Sequence, residues 1–356
     1  MATATKNVML LGIDLGTNST VFQASVEGQE VKHERTIFPS LVGYSKPGIV
    51  PGILPSDSDV LFGEQALEYR LHLDLCWPLA DGFVDDVETC HAFANFLREQ
   101  IQAEAGQELW AVVGAPANAT PEKQKLIRQA FSGVLDRMLV VPEPFLSAMG
   151  LRDDSRVGKD PDYVDPTKHS LIVDIGAGTT DCCLVQGYFP SAEDQLSVPL
   201  AGDSIDEALA KAIQKRYPDV KLTRVTVTRL KEECSFVGEM QSAEIKVFVD
   251  GKPRKIDLGE IMRDACDILT EPVLDCIRQL LARCDSEAVL EVMHNIIVTG
   301  GGSQIRGFSE QIEQKLHDEG YEDARVVTPE DYRHLVAKGA LKIANNVRDD
   351  QWQVPL

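Results

Sequence analysis

Five dense apolar runs along the chain predict buried strands. They are NVMLLGI (7–13), LWAVVGA (109–115), MLVV (138–141), HSLIVDI (169–175) and NIIVTG (295–300), and each ends in or beside Gly, Pro or Asp. Runs this rich in Val, Ile and Leu are typical of strands that are buried on both faces. Because segments of helical period lie between them, the pattern predicts a mainly parallel α/β sheet.

The helical segments carry their own end signals. Apolar residues recur at steps of three and four in DDVETCHAFANFLREQIQ (85–102), and Thr120 precedes Pro121 as a helix cap would. Residues 202–217 and 226–236 predict two further helices. Residues 260–284 predict a long helical stretch in which Pro272 marks a kink or a break, and Asp250-Gly251 before it predicts a hairpin turn.

Two polar segments interrupt this order. Residues 45–59, SKPGIVPGILPSDSD, are rich in Pro, Gly and Ser, so we expect a small, mobile subdomain there. Residues 152–168 are polar, and loops of this length are uncommon inside a compact domain. We therefore expect a surface excursion near a domain boundary.

Composition narrows the class of protein. A chain of 356 residues, 44% of them hydrophobic, is long enough for two domains. Lys and Arg number 35 against 56 Asp and Glu, a net charge of −21, so a basic nucleic-acid groove is not expected. No apolar run approaches the roughly 20 residues of a membrane span, and the eight cysteines form no regular framework. We therefore expect a cytoplasmic protein with reduced, buried thiols.

One motif occurs twice, as GIDLGTNST (12–20) and VDIGAGTTDC (173–182). Each copy follows an apolar strand and joins an Asp, Asp14 or Asp174, to a glycine-containing turn and hydroxylated residues. Small residues let backbone N–H groups surround a phosphate, and the Asp can hold a hydrated Mg²⁺. A pair of such turns predicts a duplicated fold that closes around one nucleotide, although a tight hairpin alone also explains each copy. Neither copy is a P-loop or a dinucleotide-binding fingerprint.

A third glycine cluster, IVTGGGSQIRG (297–307), also follows an apolar strand. Three consecutive glycines let an adenine or a ribose lie directly against the backbone. The alternative is an ordinary turn between a strand and a helix.

These motifs carry a family resemblance. The two repeats resemble the phosphate loops of the actin, Hsp70 and sugar-kinase superfamily, and residues 297–307 resemble its adenosine motif. VPEPFLSAMG (141–150) and VAKGALKIA (336–344) are similar to its two connecting motifs, and all five occur in the family's order. FGEQALEYR, WPLADGFVDD and the EP of VPEPF resemble the MreB branch of bacterial actins. Within that branch, LHLDLCWPLADG, PSAEDQLSV and KEECSFVG look most like the MamK family of magnetosome-organising actins.

The resemblance implies an α/β fold of the actin-like, ribonuclease H-like duplicated type, with nucleotide in the cleft between two domains. Each domain would have a large α/β subdomain and a smaller one. Domain I would span 1–151 plus 329–356 with its small subdomain at about 38–75, and 152–168 would be a surface insertion. Domain II would span 169–328 with its small subdomain at about 203–270.

The resemblance also assigns roles to residues. Asp14 and Asp174 would hold Mg²⁺ mainly through water, and Glu143 would orient the attacking water and take its proton. With ATP or ADP as the nucleotide, the contacts would be made by Gly16, Thr17, Asn18, Gly176, Gly178, Thr179, Thr180, Lys231, Glu232, Gly301, Gly302 and Ser303. Gly339, in the second connecting motif, would close the hinge.

The resemblance implies an ATPase that polymerises head to tail and hydrolyses ATP slowly. The resulting filament would lie in the cytoplasm and organise magnetosomes or another intracellular cargo. Its partners would be further copies of itself and an adaptor linking the filament to cargo or vesicle, without nucleic acid or direct membrane insertion. The alternatives are a small-molecule kinase of the same fold and an Hsp70-like nucleotide-binding domain. We find no substrate base or large insertion typical of the kinases, and we expect no peptide-binding domain or C-terminal membrane helix.

Overall fold

The structure is a computed structural model that describes residues 7–55 and 58–356. Its strands are β1 (Val8–Leu15), β2 (Ser19–Val26), β3 (Gln29–Val31), β4 (Ile37–Pro39), β5 (Val42–Ser45), β6 (Val60–Phe62), β7 (Leu73–Cys76), β8 (Leu79–Ala80), β9 (Phe83–Val84), β10 (Glu108–Ala115), β11 (Arg137–Pro142), β12 (Ser170–Ile175), β13 (Thr180–Val185), β14 (Gln195–Val198), β15 (Glu244–Val249), β16 (Lys252–Asp257), β17 (Ile296–Thr299) and β18 (Val326–Val327). Its α-helices are α1 (Gly63–Glu68), α2 (Val87–Ile101), α3 (Pro121–Ala130), α4 (Glu143–Leu151), α5 (Gly202–Arg216), α6 (Arg224–Cys234), α7 (Gly259–Asp267), α8 (Thr270–Leu281), α9 (Val289–Met293), α10 (Phe308–Asp318) and α11 (Leu335–Ala344). The chain forms two compact units, unit 1 (Met1–Arg152 and Arg333–Leu356) and unit 2 (Asp153–Tyr332).

Unit 1 is built on a mixed sheet in the order β11-β10-β1-β2-β3, with β4 also paired to β2. β1, β10 and β11 run parallel, whereas β2 runs antiparallel to β1 and to β3 and β4. α2 packs Phe93 and Leu97 into the apolar core beneath this sheet. A second sheet in the order β6-β5-β7 packs on α1.

Two helices of unit 1, α4 and α11, cross at very short distance. A Cβ atom on Gly339 would lie 1.9 Å from the main-chain oxygen of Leu146, and one on Gly150 would lie 2.1 Å from that of Leu335. Only glycine lets two helix backbones approach so closely. The hinge role predicted for Gly339 stays a prediction, but its lack of a side chain is required by this packing.

Unit 2 repeats the same mixed arrangement in the order β14-β13-β12-β17-β18. β12, β17 and β18 run parallel, and β13 runs antiparallel to β12 and β14. The prediction of a mainly parallel sheet is therefore wrong in both units, because each glycine turn reverses the chain into an antiparallel neighbour. The strands β2 and β13 were missed because their many Ser, Thr, Gln and Cys residues interrupt the apolar pattern.

Several local predictions are confirmed. Thr120 accepts a hydrogen bond from the N–H of Lys123 and caps α3. Asp250 and Gly251 have φ of 48° and 75° and form the turn of the β15–β16 hairpin. The stretch 260–284 breaks between α7 and α8, just before Pro272, whose nitrogen has no proton to donate to the oxygen four residues earlier.

Apart from Ser45, the last residue of β5, the two polar segments contain no strand or helix in their described parts. Residues 46–55 and 58–59 connect β5 to β6, and Ser56 and Asp57 lie outside the described residues. In the segment 152–168 the hydroxyl of Tyr163 accepts a hydrogen bond from the N–H of Asp153 at 2.6 Å. The mobility expected for residues 45–59 and the predicted domain and subdomain limits stay predictions.

Candidate functional site

The first repeat forms a tight hairpin between β1 and β2. Asp14 lies in β1 opposite Val21 of β2, and the turn runs from Gly16 to Asn18. A Cβ atom on Gly16 would lie 2.5 Å from the main-chain oxygen of Ser19, so the turn excludes any larger residue there. The alternative that this motif is a tight hairpin describes its backbone correctly, and it leaves the phosphate-binding prediction open.

Two segments outside the motif hold the first turn in place. Ser40 is fully buried; its hydroxyl donates to the oxygen of Gly16 at 2.6 Å and its N–H to that of Asn18 at 3.0 Å. The N–H of Gly82, at the tip of the β8–β9 hairpin, donates to Oγ1 of Thr17 at 3.0 Å. Neither Ser40 nor Gly82 was predicted from the sequence, although Asp81-Gly82 is a recognisable hairpin pair.

The second repeat forms the matching hairpin between β12 and β13. Asp174 lies opposite Asp181, and the N–H of Gly176 donates to the oxygen of Thr179 at 2.9 Å across the turn. The hydroxyl of Thr179 donates to Oδ2 of Asp181 at 2.6 Å. The hydroxyl of Thr180 donates to the oxygen of Leu200 at 2.6 Å. Asp181 was not predicted as a site residue.

The start of α5 supports this second turn from behind. The N–H of Gly202 donates to the oxygen of Gly176 at 3.1 Å, and the N–H of Asp203 donates to the oxygen of Ala177 at 2.7 Å. The first-turn N–H groups of a helix have no partner inside the helix. Here they fix the position of the glycine turn.

The third glycine cluster packs against the second hairpin. Gly300 has φ of 75°, and a Cβ atom there would lie 2.4 Å from Oδ1 of Asp174. A Cβ atom on Gly302 would lie 2.2 Å from Cγ2 of Ile175, whereas one on Gly301 would meet nothing within 4 Å. Packing thus requires glycine at positions 300 and 302, whereas Gly301 has open space on its Cβ side. Ser303 donates from its hydroxyl to the oxygen of Gly300 at 2.7 Å.

Lys231 and Glu232 lie in the last turn of α6 and differ in environment. The ammonium of Lys231 lies 3.0 Å from Oδ1 of Asp206 and donates to the oxygen of Gly202 at 2.8 Å. Thr228 donates to Oδ2 of the same carboxylate at 2.6 Å. Glu232 is exposed. Lys231 therefore contacts the start of α5 through its ammonium. The predicted contact of Lys231 with nucleotide stays a prediction.

Glu143 begins α4 directly after β11 in unit 1. Its side chain lies against the end of β10, because a Cβ atom on Gly114 would lie 2.9 Å from Cγ of Glu143 and 3.5 Å from its Oε1. A glycine at this position leaves the carboxylate room beside the strand. The predicted residues of unit 1 are Asp14, Gly16, Thr17, Asn18 and Glu143, and those of unit 2 are Asp174, Gly176, Gly178, Thr179, Thr180, Lys231, Glu232, Gly301, Gly302 and Ser303.

The oxygen atoms around Asp174 suit a hydrated divalent cation. Asp174 is 8% exposed and Asp181 2%, and register places both carboxylates on one face of the sheet, together with Thr299 of β17. The buried hydroxyl of Thr299 has no hydrogen-bond partner among the described residues. Like charges opposite each other destabilise a sheet unless a cation or donors compensate them. In the described part of the chain, no group of three or more His, Cys, Asp or Glu could hold a metal alone, so phosphate and water would complete such a site.

The cysteine thiols are unbridged and mostly buried. Burial raises the pKa of Cys90 to about 12 and that of Cys266 to about 11. A hydrogen bond with Cys276, together with burial, raises the pKa of Cys182. These thiols are neutral at physiological pH. Among the described residues, no helix is both long and apolar enough to cross a membrane.

Comparisons with known proteins identify the family. The model of the MreB/Mbl protein family matches residues 8–351. The actin-like protein MamK of Paramagnetospirillum magneticum is 33% identical over 356 residues, which cover 98% of this chain and 95% of that protein. The structure of a MamK double helical filament superposes with a TM-score of 0.85 at 32% identity and covers 96% of this chain and 100% of that one. A non-polymerising MamK mutant bound to AMPPNP gives a TM-score of 0.65 at the same identity and coverage. These findings confirm the predicted actin-like fold and the predicted likeness to MamK, and the chain belongs to the MreB/Mbl family.

Proposed function

We propose that the protein is an ATP-dependent, filament-forming actin of the MamK type. It binds Mg-ATP, polymerises head to tail and hydrolyses ATP slowly, so that hydrolysis controls filament turnover. The observation that carries this proposal is the likeness to a MamK filament over 96% of this chain and 100% of that one, at a TM-score of 0.85. The AMPPNP-bound MamK mutant supports ATP as the nucleotide.

The two hairpin turns are the proposed phosphate-binding elements. In unit 1 the turn Gly16–Asn18 offers backbone N–H groups and the hydroxyl of Thr17, and in unit 2 the turn Gly176–Thr179 offers backbone N–H groups. Neither turn needs a lysine, because main-chain dipoles and hydroxyls suffice to bind phosphate oxygens. We propose that both turns bind the same nucleotide and that Gly301 lies against its adenine or ribose, where the structure leaves open space.

Asp14 and Asp174 would hold a hydrated Mg²⁺, which would offset the negative charge of the triphosphate. Glu143 is the proposed base of the hydrolytic reaction. Its carboxylate would orient a water molecule for attack on the γ-phosphorus and accept the proton that this water loses.

Filament assembly would use head-to-tail contacts between identical chains, which extend without limit when they do not close into a ring. The connection between β5 and β6 is a proposed contact, because Val50 and Ile53 are 65% and 43% exposed there. A filament of this kind would act in the cytoplasm, with an adaptor linking it to magnetosomes or another cargo.

High-speed sedimentation and negative-stain electron microscopy test the proposal. Purified protein with Mg-ATP should pellet, show filaments and release phosphate, and protein without nucleotide should remain in the supernatant. Asp174→Asn is the matched control, because it keeps the size of the side chain and removes its charge. A protein that stays monomeric at every concentration and phosphorylates a sugar would instead be a small-molecule kinase of the same fold.

A further inference from the structure

Cys182 and Cys276 are neighbouring thiols in the core of unit 2. Cys182 lies in β13 and Cys276 in α8, and both side chains belong to the same apolar cluster. The helix packs on the strand, and the thiol of Cys182 donates a hydrogen bond to the sulfur of Cys276. The two residues are far apart in sequence, so tertiary packing alone brings the two sulfurs together.

This hydrogen bond makes the two sulfurs chemically unlike. It lowers the pKa of Cys276, because a thiolate accepts the bond more strongly than a thiol does, and it raises the pKa of Cys182, whose proton it engages. Burial and the carboxylates of Asp275 and Asp181 act against a charge on Cys276. Because the thiolate is the nucleophilic form of cysteine, Cys276 is the more reactive member of the pair.

The two thiols also differ in their access to solvent. Cys276 is 3% exposed and follows the exposed Asp275, whereas Cys182 is 0% exposed. A reagent the size of water can reach a sulfur at this edge of the core, and a molecule as large as glutathione cannot. Among oxidants, hydrogen peroxide has this small size. A cysteine that is oxidised beside a second thiol condenses with it to a disulfide.

Two other buried cysteines of unit 2 are placed differently. Cys183 follows Cys182 in β13 and points to the opposite face of the sheet, where its thiol donates to the main-chain oxygen of Leu184 at 3.7 Å. Cys266 lies in α7, and burial raises its pKa to about 11, so it stays a thiol. These two residues are therefore matched controls for the pair.

We propose that Cys182 and Cys276 form a dithiol site that hydrogen peroxide oxidises to a disulfide. The thiolate of Cys276 attacks one peroxide oxygen, the O–O bond breaks, and hydroxide leaves with the electron pair, which gives a sulfenic acid. The sulfur of Cys182 then bonds to that of Cys276 and releases its proton, while the S–O bond breaks and the departing hydroxide takes up the proton as water. The two cysteines are oxidised, and the peroxide is reduced to water.

The disulfide would join the strand that follows the second glycine turn to α8. This inference goes beyond the proposed function and does not depend on nucleotide.

A pulse of hydrogen peroxide on the native, full-length protein tests the site. The pulse ends with catalase, the protein is unfolded in urea with N-ethylmaleimide to block free thiols, and tryptic peptides are analysed without reduction by mass spectrometry. Trypsin leaves Cys182 and Cys183 in one peptide and Cys266 and Cys276 in another, because no Lys or Arg separates either pair. The double variant Cys183→Ala, Cys266→Ala leaves one cysteine in each peptide. It should give a cross-linked peptide that dithiothreitol separates.

Three variants distinguish the chemistry from a merely structural effect. Cys276→Ala should lose the cross-link and leave Cys182 as a thiol. Cys182→Ala should lose the cross-link and carry Cys276 on to sulfinic acid, because no second thiol condenses with it. Cys182→Ser keeps an O–H donor, so Cys276 should be oxidised faster in it than in Cys182→Ala. Thermal unfolding checks the stability of each variant. If the double variant does not fold, Cys183→Ala and Cys266→Ala each assign one end of the cross-link.

Both thiols remaining free after a pulse that oxidises the partly exposed Cys76 would contradict the proposal. So would a cross-link that forms only in the unfolded protein or that joins Cys183 or Cys266. Equal oxidation of Cys276 in Cys182→Ser and Cys182→Ala would contradict the role of the hydrogen bond. These results would leave the proposed function standing, because pelleting and phosphate release are measured without peroxide.

Discussion

Lys231 donates from its ammonium to the main-chain oxygen of Gly202 at 2.8 Å, and Gly202 in turn donates its N–H to the oxygen of Gly176 in the second turn. A side chain at the end of α6 is thereby connected to a proposed phosphate-binding element through a single residue. The ammonium also lies 3.0 Å from Asp206, which is nearly buried. This arrangement favours a supporting role for Lys231, beside or instead of the nucleotide contact that the family resemblance implies.

Replacing Lys231 distinguishes the two roles. We expect Lys231→Met to weaken binding of ATP and of inorganic triphosphate by the same factor, because the second turn would lose its support. Asp206→Asn should have the same effect on both ligands. Isothermal titration calorimetry with each ligand makes the comparison. Weaker binding of ATP alone would place the ammonium at the ribose or the base.

Glu143 is expected to matter for hydrolysis and not for assembly. Glu143→Ala should still form filaments with ATP and should lose phosphate release by about 10²- to 10⁴-fold, the usual effect of a general base. Pelleting and phosphate release on the same samples separate the two properties. Equal turnover in Glu143→Ala and the parent protein would remove Glu143 from the catalytic role.

A second variant tests the position of this carboxylate without removing it. A methyl group on Gly114 would lie 2.9 Å from Cγ of Glu143. Gly114→Ala should therefore displace the side chain and slow phosphate release, although by less than Glu143→Ala. A variant with unchanged phosphate release and unchanged thermal stability would contradict this expectation.

The third glycine cluster gives a matched pair of substitutions. Gly302→Ala places a methyl group 2.2 Å from Cγ2 of Ile175 and should destabilise the protein by about 1–3 kcal/mol, as overpacked sites do. Gly301→Ala meets nothing within 4 Å and should leave the free energy of unfolding unchanged while weakening ATP binding. Denaturant unfolding and ATP titration measure both. Unaltered ATP affinity in Gly301→Ala would show that the base lies elsewhere.

Much of the fold could be predicted because its strongest strands are unbroken apolar runs. β1, β10, β11, β12 and β17 all follow from this signal. The return strands β2 and β13 could not be predicted in the same way, since Ser19, Thr20 and Gln23 interrupt one and Thr180 and Asp181 interrupt the other. The mixed character of the sheets was missed for the same reason, because β2 and β13 are the strands that run antiparallel to β1 and β12.

The residues of the candidate site also differ in whether they could be predicted from the sequence. Residues inside the glycine motifs could be named because a turn that surrounds a phosphate needs small residues in sequence. Ser40, Gly82 and Asp181 could not, because their roles depend on which segments pack behind the turns. A hydrogen bond such as that from Ser40 to Gly16 joins residues 24 positions apart, and no local pattern encodes it.

The buried thiols give a prediction that is independent of nucleotide. Alkylation by iodoacetamide proceeds through the thiolate, whose fraction falls tenfold for each unit by which the pKa exceeds the pH. Burial raises the pKa values of Cys90 and Cys266 to about 12 and 11, and it raises that of Cys183 as well. At pH 8 these three thiols should stay unmodified in the native protein while the partly exposed Cys76 and Cys234 react.

Peptide mass spectrometry after a short pulse of reagent measures each site, with urea-unfolded protein as the control in which every cysteine should react. Raising the pH from 8 to 9 should leave Cys90 protected, because its thiol remains protonated and inaccessible. Early modification of Cys266 in the native protein would contradict the burial of its side chain in α7 of unit 2.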